Sequence, residues 1–143
     1  SAKEKTSRVV EILEKTATGA SAVKAAKTPE EFIAAINMIP GAEEGALSDL
    51  KKQLESEAEN LVKNPPPEFE KLKEESGGDD LMIAKRIVYK GWLAGNKIPP
   101  LIDAAMARAK NEQIEYLRQL EKMSPIDNLK EIWRGASDRI SAL

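Results

Sequence analysis

The stretch from residue 47 to residue 61, LSDLKKQLESEAENL, decides the fold class. Its apolar residues recur in steps of three or four, at Leu47, Leu50, Leu54, Ala58 and Leu61. That spacing places the five side chains on one face of an α-helix, which is typical of a helix in a bundle. We therefore predict a helix over about 42–63. It ends at the run 64–67, Asn-Pro-Pro-Pro, because proline lacks the N–H that a helix needs.

Helical periodicity and helix-end signals continue on both sides of this stretch. On the N-terminal side we predict a segment over about 3–27, in which Gly19 leaves open one helix or two, and a short helix from Thr28-Pro29-Glu30-Glu31 to Pro40-Gly41. On the C-terminal side Pro67 can open a short helix, and we predict helices from about Leu81 to Gly95-Asn96, from Pro99-Pro100 to Met123, and a last one from Ser124-Pro125. Threonine, serine or aspartate before most of these starts can cap the free N–H groups.

The predicted architecture is all-α, a compact bundle of five to seven helices, since almost no stretch has the period of two that strands require. A single helical domain over 1–143 is expected, with a possible substructure of 1–64 and 67–143 joined by the linker Pro65–Pro67. The predicted core includes Leu47, Leu50, Leu54, Leu61, Ile87, Trp92, Met106, Leu117, Leu120 and Trp133.

Composition limits the chemistry of the chain. Its 143 residues contain no cysteine and no histidine, which excludes disulfides, thiolate nucleophiles, imidazole bases and the common zinc sites. The net charge of -2, with 41% hydrophobic and 32% charged residues, favours neither nucleic-acid binding nor stable membrane insertion. The first residues, Ser1-Ala2-Lys3, do not resemble a signal or transit segment, so we expect a chain that is cytoplasmic or already trimmed.

Paired acids are the remaining candidates for catalysis. They occur at Glu43-Glu44, Glu74-Glu75 and Asp79-Asp80, but adjacent helical residues point about 100° apart and such pairs usually lie at solvated helix ends. We expect no catalytic residues, no metal ligands and no cofactor. A carboxylate-dependent helical enzyme stays open as an alternative, and it would need two buried carboxylates.

A basic segment provides the candidate binding surface. Residues 81–102 contain no acidic residue and follow the acid-rich stretch 68–80. Lys85, Arg86 and Lys90 fall largely on one side of the predicted helix. We expect Tyr89 to project at its rim, where an amphipathic ring suits an interface. The predicted partner-binding residues are Lys85, Arg86, Tyr89, Lys90 and Lys97. The partner would be a protein, and the alternative is a basic face that pairs with the acidic stretch or stays hydrated.

Two further features leave the oligomeric state open. The Leu47 to Leu61 stripe could be a dimerisation seam instead of part of the core, which would make the chain a cytosolic helical scaffold or oligomerisation domain. In the predicted helix that ends at Met123, Gln113 is the polar member of an otherwise apolar or neutral line. It could set a register, contact water or lie exposed at a shallow point.

The segment 81–123 resembles the WY-domain effectors of oomycete plant pathogens. The run 85–102, KRIVYKGWLAGNKIPPLI, is similar to the tryptophan motif of that family, in which the helix that bears the tryptophan ends at a glycine and a proline opens the next helix. Trp92, Gly95 and Pro99 or Pro100 stand in that order. The run 111–120, NEQIEYLRQL, is similar to the tyrosine motif of the family.

The resemblance implies both a structural pair and a function. Trp92 and Tyr116 would stack inside a small α-helical bundle. The protein would be secreted, translocated into a plant cell, and bind a host protein to suppress immunity, without catalysis. Residues 1–80 carry no part of this resemblance. The leading prediction is a non-enzymatic protein-interaction module, with a host protein as its partner and a secreted location if the resemblance holds.

Overall fold

The structure, a computed structural model, describes residues 2–123, and side chains are described from residue 9 to 115 and at a few positions outside that range. Over 2–123 the chain forms six helices and no strand: α1 (Ala2–Ala25), α2 (Pro29–Asn37), α3 (Gly45–Lys63), α4 (Glu68–Ser76), α5 (Asp80–Ala94) and α6 (Ile98–Met123). The predicted all-α bundle is confirmed. The last predicted helix, from Ser124, lies outside the described residues.

The predicted caps at two helix starts are confirmed. Thr28 Oγ1 accepts the N–H of Glu31 at 3.1 Å before α2, and Asp79 Oδ1 accepts the N–H of Met82 at 2.7 Å before α5. Glu31 in turn accepts the N–H of Lys27 at 2.8 Å, which completes a reciprocal cap. These contacts are local, so the residue types alone specify where α2 and α5 begin.

The start of α3 differs from the prediction by three residues. Gly41 and Gly45 both have a positive φ, of 86° and 75°, so the backbone turns twice between Ile39 and α3. The helix therefore begins at Gly45 and not near Ala42.

Most of the core forms around α2, α3, α5 and α6. The main cluster includes Val23, Phe32, Ile36, Ile39, Leu47, Leu50, Leu54, Tyr89, Trp92, Ile98 and Ile102. A smaller cluster of Ala58, Phe69, Ile83 and Ala84 joins α4 to α3 and α5, and Val88 packs against both clusters. Residues from both sides of the linker Pro65–Pro67 thus share the main cluster. Each fully buried large side chain stabilises the fold by roughly 1.5–3 kcal/mol.

The predicted core is only partly correct. Leu47, Leu50, Leu54 and Trp92 are buried, so the leucine stripe packs inside the bundle and is not a surface seam. Leu61, Ile87 and Met106 are half-buried and pack against the edges of the clusters. The side chains of Leu117 and Leu120, and all of Trp133, lie outside the described residues.

The apolar residues of α1 predict one buried face that contains Val9, Ile12, Leu13, Ala17, Ala20 and Val23, and the observed face differs from it. Thr16, Gly19 and Val23 are buried in α1, and Ala26 just after it, whereas Ile12 is 37% exposed. The hydroxyl of Thr16 donates to the carbonyl of Ile12 at 2.6 Å, which makes its burial possible. At Gly19 the helix is continuous, and a Cβ there would overlap the side chain of Ile39. Gly19 is therefore a point of close packing.

Candidate functional site

The predicted basic residues do not form one continuous surface. Arg86 makes an ion pair with Glu30 of α2 at 3.4 Å, and both side chains are about half exposed. Lys85 is half-buried. Lys90 and Lys97 are exposed but line different hollows, one between α4 and α5 and one beside Trp92. The described structure therefore divides the predicted partner-binding set among several places.

Tyr89 is not at a surface rim, and that prediction is wrong. Its side chain is 1% exposed, and its hydroxyl donates to the carbonyl of Ala26 at 2.8 Å. Burial, with a further contribution from Glu31, raises the pKa of Tyr89 to about 12. On a helix, Tyr89 lies about 100° from Lys90, so the face that exposes the lysine turns the phenol toward the core. Tyr89 fastens the end of α1 to α5.

Trp92 belongs to a three-ring cluster. Its ring centroid lies 5.9 Å from that of Phe32, nearly edge-on, and 6.5 Å from that of Tyr89. The indole N–H donates to Glu57 of α3 at 3.3 Å. The predicted partner ring, Tyr116, has a side chain outside the described set, so its pairing with Trp92 stays a prediction. Sequence reasoning missed Phe32 as a ring partner because the two residues lie sixty positions apart.

The predicted residue Lys90 lies in a groove between α4 and α5, which we call the α4–α5 groove. The groove has a volume of about 620 Å³. Its walls and floor are formed by Glu68, Lys71, Leu72 and Glu75 of α4 and by Ile87, Lys90, Gly91 and Ala94 of α5. Leu72 is 37% exposed, so part of the apolar floor is open to solvent.

Four charged residues border the groove, and we call them the rim charges: Glu68, Lys71, Glu75 and Lys90. All four side chains are exposed, and none makes an ion pair with another described residue. Nearby charges do pair, as Lys73 does with Asp80 at 3.0 Å. That ion pair raises the pKa of Lys73, first through the hydrogen bond from Lys73 to the carboxylate. The rim charges are therefore available to a second molecule.

Gly91 lies in the floor of the groove, in the interior of α5. Its backbone is helical, and a Cβ added there would meet no described atom within 4 Å. A glycine inside a helix is less stable than alanine by roughly 0.5–1 kcal/mol. Among the described glycines, the others have a positive φ, a close neighbour or a helix-end position. Neither its backbone angle nor a packed neighbour explains Gly91.

Two other hollows lie along α6. One, of about 510 Å³, separates α6 from α1 and is bridged by an ion pair of 3.1 Å between Lys24 and Asp103. The other, of about 480 Å³, lies beside the start of α3, where both carboxylate oxygens of Glu112 accept the N–H of Ala46. Gln113 is half-buried and lines both hollows. Of the charged residues that line these hollows, Lys24 and Asp103 form an ion pair and Glu112 is used as a cap, whereas Glu44 and Lys110 make no ion pair with a described residue.

The carboxylates do not assemble into a site within the described part of the chain. Thr16 and Ser48 are the buried polar residues there, and no carboxylate is buried. No group of three potential metal-ligating side chains occurs among these residues. Asp79 of the Asp79-Asp80 pair is a helix cap, as predicted. Over the same range, no helix is both long and apolar enough to cross a membrane.

Comparison with known proteins adds no family to this geometry. No protein-family model, curated protein or solved structure matches the chain. The resemblance to WY-domain effectors thus stays a prediction that rests on the residues quoted for it.

Proposed function

We propose that this chain is a non-enzymatic protein-interaction module and that another protein molecule docks in the α4–α5 groove. The groove combines an apolar floor with a charged rim, which is the usual anatomy of a protein interface. Of the predicted partner-binding residues, Lys90 is the one that takes part directly. Arg86, one turn before it on α5, is paired with Glu30 of α2 and does not line the groove.

Gly91 is the observation that carries the proposal. Within the described fold, an alanine at position 91 would fit and would strengthen α5. A glycine there becomes useful if a second molecule approaches the backbone of α5 closely, because any side chain would hold that molecule away. The unpaired rim charges support the same site, since ions at an interface gain partners that they lack in the free protein.

Site-specific photo-crosslinking tests the proposal. A photoreactive amino acid is placed at position 72, where the exposed Leu72 already presents a large side chain to the groove, and, in a control chain, at the exposed position Ala34 of α2. Each chain is irradiated in an extract of the cells that contain it, and adducts are identified by mass spectrometry. We expect a discrete protein adduct from position 72 and none from position 34. Equal labelling at both positions, or no adduct at 72, would contradict the proposal.

A matched charge reversal checks the same site. Lys90→Glu should reduce the adduct formed from the photoreactive group at position 72. Lys52→Glu, on the exposed side of α3 and also without an ion pair to a described residue, is the control. If both reversals lowered the yield equally, overall charge and not the groove would account for the binding.

The resemblance to WY-domain effectors supports a narrower form of the proposal, in which the chain is secreted by a pathogen and its partner is a host protein. The order Trp92, Gly95, Pro99 supports this form. The crosslinking experiment in a plant-cell extract tests it separately. A plant protein captured from position 72, and no longer captured in the Lys90→Glu chain but still captured in the Lys52→Glu chain, is the expected result. If a partner were captured only in an extract of the cells that produce the chain, the host partner would be contradicted and the proposed interaction module would stand.

A further inference from the structure

We infer that the protein docked in the α4–α5 groove is a second copy of this chain, so that the chain forms a symmetric dimer through α4 and α5. This inference rests on the proposed function and names its partner. It does not depend on the leucine stripe of α3, whose leucines from Leu47 to Leu54 are buried in the core.

The charge pattern of the rim is complementary to itself. The α4 wall carries Glu68 and Glu75 on either side of Lys71 and is net negative, whereas the α5 wall carries Lys90 and is positive. In a two-fold symmetric interface, if one residue meets a second on the partner, the second also meets the first. The α4 wall of each copy can therefore face the α5 wall of the other. A rim of a single sign would repel its own copy.

The floor of the groove suits the same arrangement. In a symmetric dimer, residues near the two-fold axis meet their own equivalents, so small residues at that position let the two backbones come close together. Gly91 and Ala94 lie three residues apart and face the groove together. The distance between two packed helices depends on the side chains at their contact, and these small residues allow a close approach. Leu72, which is 37% exposed, would then be covered at the side of that contact.

Two rim variants of the full chain test the charge argument. The cationic-rim variant, Glu68→Lys with Glu75→Lys, makes all four rim positions positive. The anionic-rim variant, Lys71→Glu with Lys90→Glu, makes all four negative. We expect the wild-type chain to sediment as a concentration-dependent dimer and each variant alone to stay monomeric. A mixture of the two variants should form a heterodimer, because their rims are then of opposite charge.

Matched controls separate the groove from overall charge. Glu55→Lys with Glu59→Lys, on the exposed side of α3, changes the net charge as the cationic-rim variant does. Lys52→Glu with Lys63→Glu matches the anionic-rim variant. All four of these positions are exposed and make no ion pair with a described residue. Both controls should dimerise like the wild type. Circular dichroism of every variant checks that α4 and α5 still form.

A second variant pair tests the floor. Gly91→Leu should raise the dimer Kd by about tenfold or more, because the side chain would fill the centre of the contact. Gly91→Ala should have a smaller effect. A wild-type chain that stays monomeric at all concentrations, or rim variants that do not pair when mixed, would overturn the dimer. The crosslinking result would then still decide whether a different protein occupies the groove, so the dimer can fail while the proposed function stands.

Discussion

At the scale of single residues, Gly19 and Gly91 have opposite roles. Both lie inside helices and both interrupt an otherwise favourable helical sequence. Gly19 is buried against Ile39, whereas a Cβ at Gly91 would have no described atom within 4 Å. One glycine is therefore required by packing within the fold, and the other is not.

Substitution by alanine should move stability in opposite directions at these two sites. Gly91→Ala should stabilise the chain by roughly 0.5–1 kcal/mol, because alanine favours the helix and meets no described atom. Gly19→Ala should destabilise it by about 1–3 kcal/mol, because its Cβ would overlap Ile39. Urea unfolding at low protein concentration measures both changes. Equal changes of either sign would contradict the packing described for α1 and α5.

The phenol of Tyr89 should make stability depend on pH in the alkaline range. Its pKa is about 12 in the folded chain and 10.0 when unperturbed, mainly because burial disfavours the charged form. The unfolded chain therefore loses this proton first. The stabilisation that the neutral phenol gives to the folded chain is fully present below about pH 10 and is lost as the pH rises toward 12.

To test this, the free energy of unfolding of the wild type and of Tyr89→Phe is measured between about pH 8 and the onset of alkaline unfolding. A tyrosine titrates in this range. The variant lacks the hydroxyl that donates to Ala26, so it should be less stable at neutral pH by about 0.5–1.5 kcal/mol. The difference between the two chains should shrink as the pH rises. A difference that stays constant would indicate that this phenol does not titrate with unfolding.

Sequence patterns predicted single residues well where the contact is local and poorly where it is distant. The caps at Thr28 and Asp79 bind backbone groups three residues away, so their chemistry is visible in the sequence. Tyr89 binds Ala26, sixty-three residues away, and its burial could not be deduced from its neighbours on α5. The proposed role of Gly91 depends on the groove that it lines, and that groove is visible only in the structure.

At the scale of helices, α3 and α6 are joined by a cap that comes from a different helix. Neither Glu44 nor Gly45 caps the start of α3 with a side chain. Glu112 of α6 accepts the N–H of Ala46 there, at 3.2 Å and 3.4 Å to its two oxygens. A carboxylate also interacts favourably with the positive end of a helix dipole.

Removal of this cap should destabilise α3 at its first turn. Glu112→Ala should reduce the free energy of unfolding by about 1 kcal/mol, typical of a lost helix cap. Glu112→Gln keeps an acceptor but has no charge, so its free energy of unfolding should lie between those of the wild type and Glu112→Ala. Glu115→Ala, on an exposed part of the same helix, is the comparison. Amide exchange at residues 46–48 should quicken in Glu112→Ala, and unchanged exchange would argue against the cap.

The ends of the helices could be predicted from the prolines and glycines in the sequence, but the buried faces of the helices could not. Prolines and glycines in the sequence located the ends of α2, α4 and α5 and the start of α6 to within a few residues of the structure. The buried face of α1 was predicted from its apolar residues, and Thr16 and Gly19 replaced some of them. A threonine can be buried when it bonds to its own helix, and a glycine when another helix approaches. Neither condition can be deduced from apolar periodicity.

At the scale of the whole molecule, one shared core joins the two parts of the chain that the linker Pro65–Pro67 separates in sequence. Leu54 precedes the linker and Trp92 follows it, yet both belong to the main cluster. The all-α class followed directly from the period of the apolar residues. The α4–α5 groove did not, because it depends on how two helices lie beside each other.

Leu54 in the core and Leu72 in the groove should contribute very differently to stability. Leu54 is fully buried, so Leu54→Ala should cost about 2–5 kcal/mol, a large share of the total stability of a small domain. Leu72 is 37% exposed in the groove, and Leu72→Ala should change the stability of the monomer by no more than about 0.5 kcal/mol. Thermal unfolding measures both. A large loss from Leu72→Ala in the monomer would mean that the groove is filled from within the chain.

Buried Trp92 gives the protein an optical signal of its own. With its indole shielded from water and bonded to Glu57, it should emit at shorter wavelength when folded than when unfolded. In a Trp133→Phe chain the fluorescence would come from this one side chain. Loosening of α3 from α5 would therefore appear as a red shift of this emission, without an added dye.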